Sequence, residues 1–271
     1  MIGSFQTEEA GELKSCCANL YESDLARLLL GDSFHPGGLA LTGRLGELLQ
    51  LRPGHRVLDV ASGKGSSAMF LAQRFGCAVV GVDYGAESVE EATARAEAAG
   101  VSHLVSFEQG DAEGLRFAPH SFDAVICECA FCTFPNKDGA AREWARVLRP
   151  GGRVGLSDLT RSGPLPPELE GLLAWIACIA DARPIDEYVA VLEGACLAIS
   201  QVEPHNTALE EMVRDVRTKL LGAELLSKLK KIELPPGIDL AEAKSLARHT
   251  AEAARAGRLG YAVIVGRKPV A

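Results

Sequence analysis

The sequence predicts an α/β fold: a mostly parallel seven-stranded sheet with helices on both faces, a helical N-terminal cap and a helical insertion before the last strand. Three observations predict it. From about residue 53, apolar runs of strand length alternate with segments of helical period. The first run, Val57-Leu58-Asp59-Val60, breaks at Ala61-Ser62-Gly63-Lys64-Gly65 into a glycine-paired turn before a helical pattern resumes. Acids stand at the ends of successive runs, at Asp59, Asp83 and Asp111. Together these are the sequence form of a Rossmann-like unit, in which a tight turn lets backbone approach a nucleotide.

The elements follow in order. Residues from about Glu8 to Leu51 read as helices, with Leu25, Leu28 and Leu29 and then Leu41, Leu45, Leu48 and Leu49 at helical spacing. The loop Gly31-Asp32-Ser33-Phe34-His35-Pro36-Gly37-Gly38 separates the two sets. A second strand, Ala78-Val79-Val80-Gly81-Val82-Asp83, ends in an acid placed for a ribose diol. Leu104-Val105-Ser106-Phe107 is a third strand and precedes Gly110-Asp111-Ala112-Glu113. Ser121 to Cys127 is a fourth, and Arg153 to Asp158 a fifth after the turn Pro150-Gly151-Gly152. Ser66 to Phe75, Ala86 to Ala99 and Lys137 to Leu148 are the intervening helices.

Beyond Asp158 the alternation is looser. Pro167 to Ala182 and Ile185 to Ala195 read as helices, Cys196 to Val202 as a strand. Leu209 to Leu229 and Asp239 to Ala256 read as two helices parted by Leu234-Pro235-Pro236-Gly237, before a last strand, Gly260 to Gly266. The organisation is one elaborated domain: a helical N-terminal cap over 1–52, a cofactor-binding core over 53–160, and a C-terminal part over 161–271 that adds substrate-side helices and the final strands.

Composition narrows the function. With 28 Lys and Arg against 36 Asp and Glu, the net charge is −8 and no Lys/Arg stripe offers itself to nucleic acid. No apolar stretch reaches the roughly 18 residues of a membrane span. Glu8, Glu9 and Glu12 stand where a signal peptide would be basic. The chain reads as cytoplasmic, where its eight cysteines are thiols to be explained by burial, soft-metal binding or reactivity. Its oligomeric state is left open.

The ordered set from about Pro53 to Asp158 resembles the class I S-adenosylmethionine-dependent methyltransferases. The resemblance implies S-adenosyl-L-methionine as cofactor, with Asp59, Ala61, Ser62, Gly63 and Gly65 toward its methionine part. It implies Asp83 and Tyr84 toward the ribose, Asp111 and Ala112 toward the adenine, and Cys127 and Glu128 beside the transferable methyl. Any single acid here also reads as a cap or turn residue; three at successive strand ends do not.

A finer resemblance is to the arsenite methyltransferases, carried by Ile126-Cys127-Glu128-Cys129 after the fourth strand and by Cys178 in Ala174-Trp175-Ile176-Ala177-Cys178 after the fifth. Lys14-Ser15-Cys16-Cys17 resembles one of that family's N-terminal cysteine segments; a further cysteine that the family carries before the first strand has no counterpart in Ser33 to Gly38. It implies Cys129, Cys178 and Cys17 as thiolate ligands of a trivalent arsenic substrate, with Cys16 the alternative third. Thiolates suit a soft, three-coordinate centre and would aim its lone pair at the methyl carbon. The neighbouring cysteines would form a disulfide as the product is reduced, restored by a thiol reductant such as thioredoxin or glutathione.

Two other readings stand beside it. One is methylation of a small organic acceptor, with His35, Glu128 or Asp158 assisting proton removal and the cysteines packing the loop. The other is metalloid binding without turnover. Cys77 and Cys196 read as apolar filler.

Overall fold

The structure, a computed structural model, describes residues 11–16, 18, 35–170, 174, 178–228 and 239–270. Residues 11–16 are helical. Helix α1 (Gly38–Leu48) leads to β1 (Arg56–Val60), α2 (Ser66–Phe75), β2 (Ala78–Asp83), α3 (Ala86–Ala98) and β3 (Val105–Gln109). Then come β4 (Phe122–Glu128), a 3-10 turn at Phe131–Thr133, α4 (Lys137–Val147) and β5 (Leu148–Arg161). A second 3-10 turn at Pro167–Leu169 precedes α5 (Ile185–Gly194), β6 (Ala198–Pro204), α6 (Asn206–Lys228), α7 (Leu240–Arg255) and β7 (Leu259–Arg267).

The seven strands form one sheet in the order β3-β2-β1-β4-β5-β7-β6, with β7 antiparallel to both β5 and β6 and the other pairs parallel. Chain order runs outward from β1 in one direction to β3 and then from β4 in the other. The switch therefore lies between β1 and β4, and a crevice opens beyond their carboxyl ends. Helices on both sides bury four of the five β1 residues, which is why its sequence is a continuous apolar run and not an alternation.

Successive residues of β4 point to opposite faces and into separate cores. Ala124 and Ile126 join Leu41, Leu45, Leu49 and Tyr261 on one side. Val125 and Cys127 join Leu58, Phe131, Trp144 and Tyr188 on the other. In this second core the Phe131 ring lies 4.8 Å from Trp144 and 5.9 Å from Tyr188, between centroids, each pair adding about 1 kcal/mol to area burial. The helical stripe Leu41, Leu45 and Leu49 packs as expected; Leu25, Leu28 and Leu29 lie outside the described residues.

The expected helix over Pro167 to Ala182 does not run through. After the 3-10 turn, Ala174 is helical, but Cys178 adopts φ 63° and Ile179 and Ala180 both donate backbone hydrogen bonds to the Ala174 carbonyl, at 2.8 and 3.0 Å. This is a left-handed helix ending whose special position is filled by cysteine where glycine is usual, so the sequence carries no stop signal there. Cys196 repeats the pattern with φ 61° after α5, which delays the next strand to Ala198 and leaves this cysteine exposed, not packed as filler. Cys77 is fully buried.

Among the described residues, no helix is long and apolar enough to cross a membrane.

Candidate active site

A cavity opens at the carboxyl ends of β1 to β4. Its wall includes Ala61 and Gly63 after β1, Asp83 and Tyr84 after β2, Asp111 and Ala112 after β3, and Glu128 and Cys129 after β4. These are eight of the residues singled out by sequence. Four others stand behind it: Asp59, Ser62, Gly65 and Cys127 are not in the wall. Cys127 is fully buried in the second core because β4 alternates, and Glu128, one residue on, takes the cavity side instead. Cys16 is half-buried and off the wall; Cys17 lies outside the described residues.

The turn after β1 is held to the acid after β2. Asp83 accepts from Gly63 N at 2.7 Å and from Gly85 N at 2.9 Å, which sets the loop for a ligand to lie across it. Close approach there needs Gly81: a Cβ on it would stand 2.6 Å from Ser62 Oγ and against the Phe107 ring. Gly63, at φ 50°, has open space where a side chain would project. Ala61 is held at φ 58°, and Cys129 at φ 54° after β4, so strained backbone marks both sides of the switch point.

Behind this wall Asp59 is 2 % exposed and its Oδ2 has no hydrogen-bond partner; Ser62 Oγ is likewise buried without one. Burial, and then the charges of Glu128 and Asp83, push the Asp59 carboxyl well above the usual carboxylate range. A positive charge in the cavity would offset the part of this due to Glu128 and Asp83. Unpartnered acceptors, acids on three strand ends and a glycine cradle fit a nucleoside that carries a positive centre.

Glu128 is held by side chains from three other segments. Its Oε2 accepts from Ser67 Oγ at 2.7 Å and from Thr42 Oγ1 at 3.0 Å, and His35 Nε2 lies 3.6 Å away. Thus β4, α1, α2 and the loop before α1 meet on one carboxylate. His35, buried, also lies 3.3 Å from Thr42 Oγ1.

The cysteines converge only in part. Cys178 Sγ donates to the Cys129 carbonyl at 3.2 Å. Contact with the Cys178 thiol, burial and the charge on Asp158 push Cys129 well above the usual thiol range; burial and then Cys178 do the same for Cys132. Sequence reasoning had not singled out Cys132 as a site residue. Cys132 and Cys178 are both buried and off the cavity wall. Among the described residues, no group of three or more His, Cys, Asp or Glu side chains is arranged to hold a metal ion.

Asp158 lies under this cluster, 1 % exposed, accepting from Cys132 N at 2.9 Å and Leu159 N at 2.7 Å. Burial, with Cys178 next in weight, pushes its carboxyl up to about 7. Lys137 ties the loop together: its Nζ donates to the Cys132 carbonyl at 2.8 Å, to the Phe134 carbonyl at 3.1 Å and to Asp181 Oδ2 at 2.5 Å. Lys14, Glu113, Thr133 and Phe134 also line the cavity without having been singled out as site residues, although each stands in a segment that the sequence had marked.

Comparison with known proteins agrees with this geometry. Residues 57–152 match a family model described as a methyltransferase domain. Methyltransferase GfsG of Streptomyces halstedii is 31% identical over 236 residues, covering 77% of this chain and 84% of its own. The 27-O-demethylrifamycin SV methyltransferase of Amycolatopsis mediterranei is 30% identical over 270 residues, covering 91% and 94%. An arsenite methyltransferase of Halobacterium salinarum is 31% identical over 163 residues, covering 59% of this chain but 41% of its own. In fold, phosphoethanolamine N-methyltransferase 2 of Haemonchus contortus superposes with a TM-score of 0.79 at 19% identity, over 95% of this chain and 60% of that one. A sheet with its switch point at β1 and β4, acids from the ends of β2, β3 and β4 around one cavity and relatives matched along most of their length place this chain in the class I S-adenosylmethionine-dependent methyltransferase family.

Proposed function

We propose that this enzyme transfers the methyl group of S-adenosylmethionine to a hydroxyl of a small organic acceptor, and that Glu128 receives the proton. The observation that carries this reading is the Glu128 carboxylate in the cavity wall, buried and held by two hydroxyl donors. The cofactor supplies an electrophilic methyl on a sulfonium. Ala61 and Gly63 would hold its methionine part, Asp83 the ribose, and Asp111 with Ala112 the adenine.

The acceptor oxygen forms the new bond to carbon as the carbon–sulfur bond breaks, its electron pair staying on sulfur; the hydroxyl proton passes to Glu128. Ser67 and Thr42 fix the carboxylate, so orientation and proton transfer rest on a group already in place. Cys129, Thr133 and Phe134 would wall the acceptor and exclude water. The relative matched over 94% of its own length favours this reading, since its name specifies a methylated oxygen.

A second reading, transfer to thiol-bound trivalent arsenic, is favoured by the contact of Cys178 with Cys129 and Cys132. It is the weaker one, because two of these sulfurs are buried off the wall and the arsenite relative is matched over less than half its length. The test is S-adenosylhomocysteine formation with a panel of phenols and alcohols, and with arsenite plus a thiol reductant. The hydroxyl reading expects turnover with an alcohol or phenol that Glu128→Gln abolishes and Cys178→Ser retains; arsenite-dependent turnover lost in Cys129→Ser and Cys178→Ser would overturn it.

A further inference from the structure

We propose that Lys14 is a cofactor-retention residue: by bridging Asp111 and Glu113 it straps the segment carrying it across the adenine end of the cavity, and the strap opens before S-adenosylhomocysteine leaves. Lys14 Nζ lies 2.8 Å from Asp111 Oδ2, 3.1 Å from Asp111 Oδ1 and 2.6 Å from Glu113 Oε2. These contacts join positions 97 and 99 residues apart. Lys14 and Ala18 stand in the same wall as Asp83, Asp111 and Ala112, so the segment is a side of the cofactor cavity and not a neighbour to it.

The receiving acids are set in advance. Asp111 Oδ1 accepts from Glu113 N at 2.9 Å, and Glu113 Oε1 accepts from Asn136 N at 2.9 Å, so backbone amides orient both carboxylates before the ammonium arrives. Two carboxylates this close repel; one ammonium between them removes the repulsion. The side chains of Lys14 and Glu113 are 15% and 12% exposed, so this pair is screened less than a surface ion pair would be. Burial opposes the charge on Lys14, while both carboxylates favour it, and the balance raises its pKa.

The place of the strap separates retention from chemistry. Lys14 is held by acids in the segment that follows β3, whereas Glu128 ends β4, three places along the sheet. A residue bound to the acids at that end of the cavity can govern how long the nucleoside stays.

The experiment is stopped-flow and calorimetric binding of S-adenosylhomocysteine to the full chain, with no acceptor present. Lys14→Met is expected to raise the dissociation rate about tenfold with little change in association, and Glu113→Gln to do the same without adding to it in the double variant. Lys14→Arg is expected to keep the parental rate. An unchanged dissociation rate in Lys14→Met, or tighter binding because Lys14 competes with the adenine for Asp111, would overturn the proposal.

Discussion

The Cys178 thiol donates to the backbone carbonyl of Cys129 across 3.2 Å, although 49 residues separate them, and both stand in left-handed backbone at φ 63° and 54°. Two independent chain reversals, one after β4 and one past β5, are thus closed against each other beside the cavity. Neither position has the glycine such backbone favours, so each conformation is imposed by what packs around it.

Replacing Cys178 with alanine removes that hydrogen bond and a buried sulfur. The expected loss is about 1–2 kcal/mol of unfolding free energy, read from urea denaturation, with S-adenosylhomocysteine affinity unchanged.

Ala61→Gly relieves left-handed strain at the end of β1, φ 58°. A gain of roughly 1 kcal/mol in the folded state is opposed by the greater freedom of glycine in the unfolded chain, so the net change in stability is expected to be within about 0.5 kcal/mol. Gly81→Ala behaves otherwise, since its Cβ meets Ser62 Oγ at 2.6 Å and the Phe107 ring. It should weaken S-adenosylhomocysteine binding about tenfold or more and lower the melting temperature, because backbone and ring cannot both stay in place.

Asp158 makes stability depend on pH. Its folded carboxyl is raised to about 7, whereas the unfolded carboxyl ionises near 4. Between these values the unfolded chain has lost a proton that the folded chain keeps, so Asp158 lowers stability as pH rises, by at most about 1.4 kcal/mol per unit. Above about 7 both states are ionised and the slope ends. Asp158→Asn is expected to flatten this part of the stability curve, in denaturation series from pH 4 to 8; an unchanged slope counts against it.

Lys137→Met leaves Asp181, whose side chain is 9% exposed, with Arg183 at 2.7 Å as its remaining cation, and frees the carbonyls of Cys132 and Phe134. A loss of about 2–4 kcal/mol is expected by denaturation, below that for a wholly orphaned charge because Arg183 persists. Asp181→Asn should cost less.

What the sequence by itself determined was local or periodic. Strands buried on both faces must be continuous apolar runs, a nucleotide turn must have small residues, and acids at strand ends follow from where the runs stop; hence the sheet, the turn, and Asp83, Asp111 and Glu128 at the cavity were legible. The helices α2, α3 and α4 were placed to within one residue at their ends by the same periodicity. Tertiary structure alone decided the rest. Cys127 faces a core because the β4 alternation puts it on the same face as Val125, and Cys178 ends a helix because packing supplies the left-handed turn that no glycine announced. The strap from Lys14 to Asp111 and the grip of Thr42 and Ser67 on Glu128 join residues 61 to 97 positions apart. No local period encodes such pairs; they exist because the fold brings five segments to the open end of one sheet.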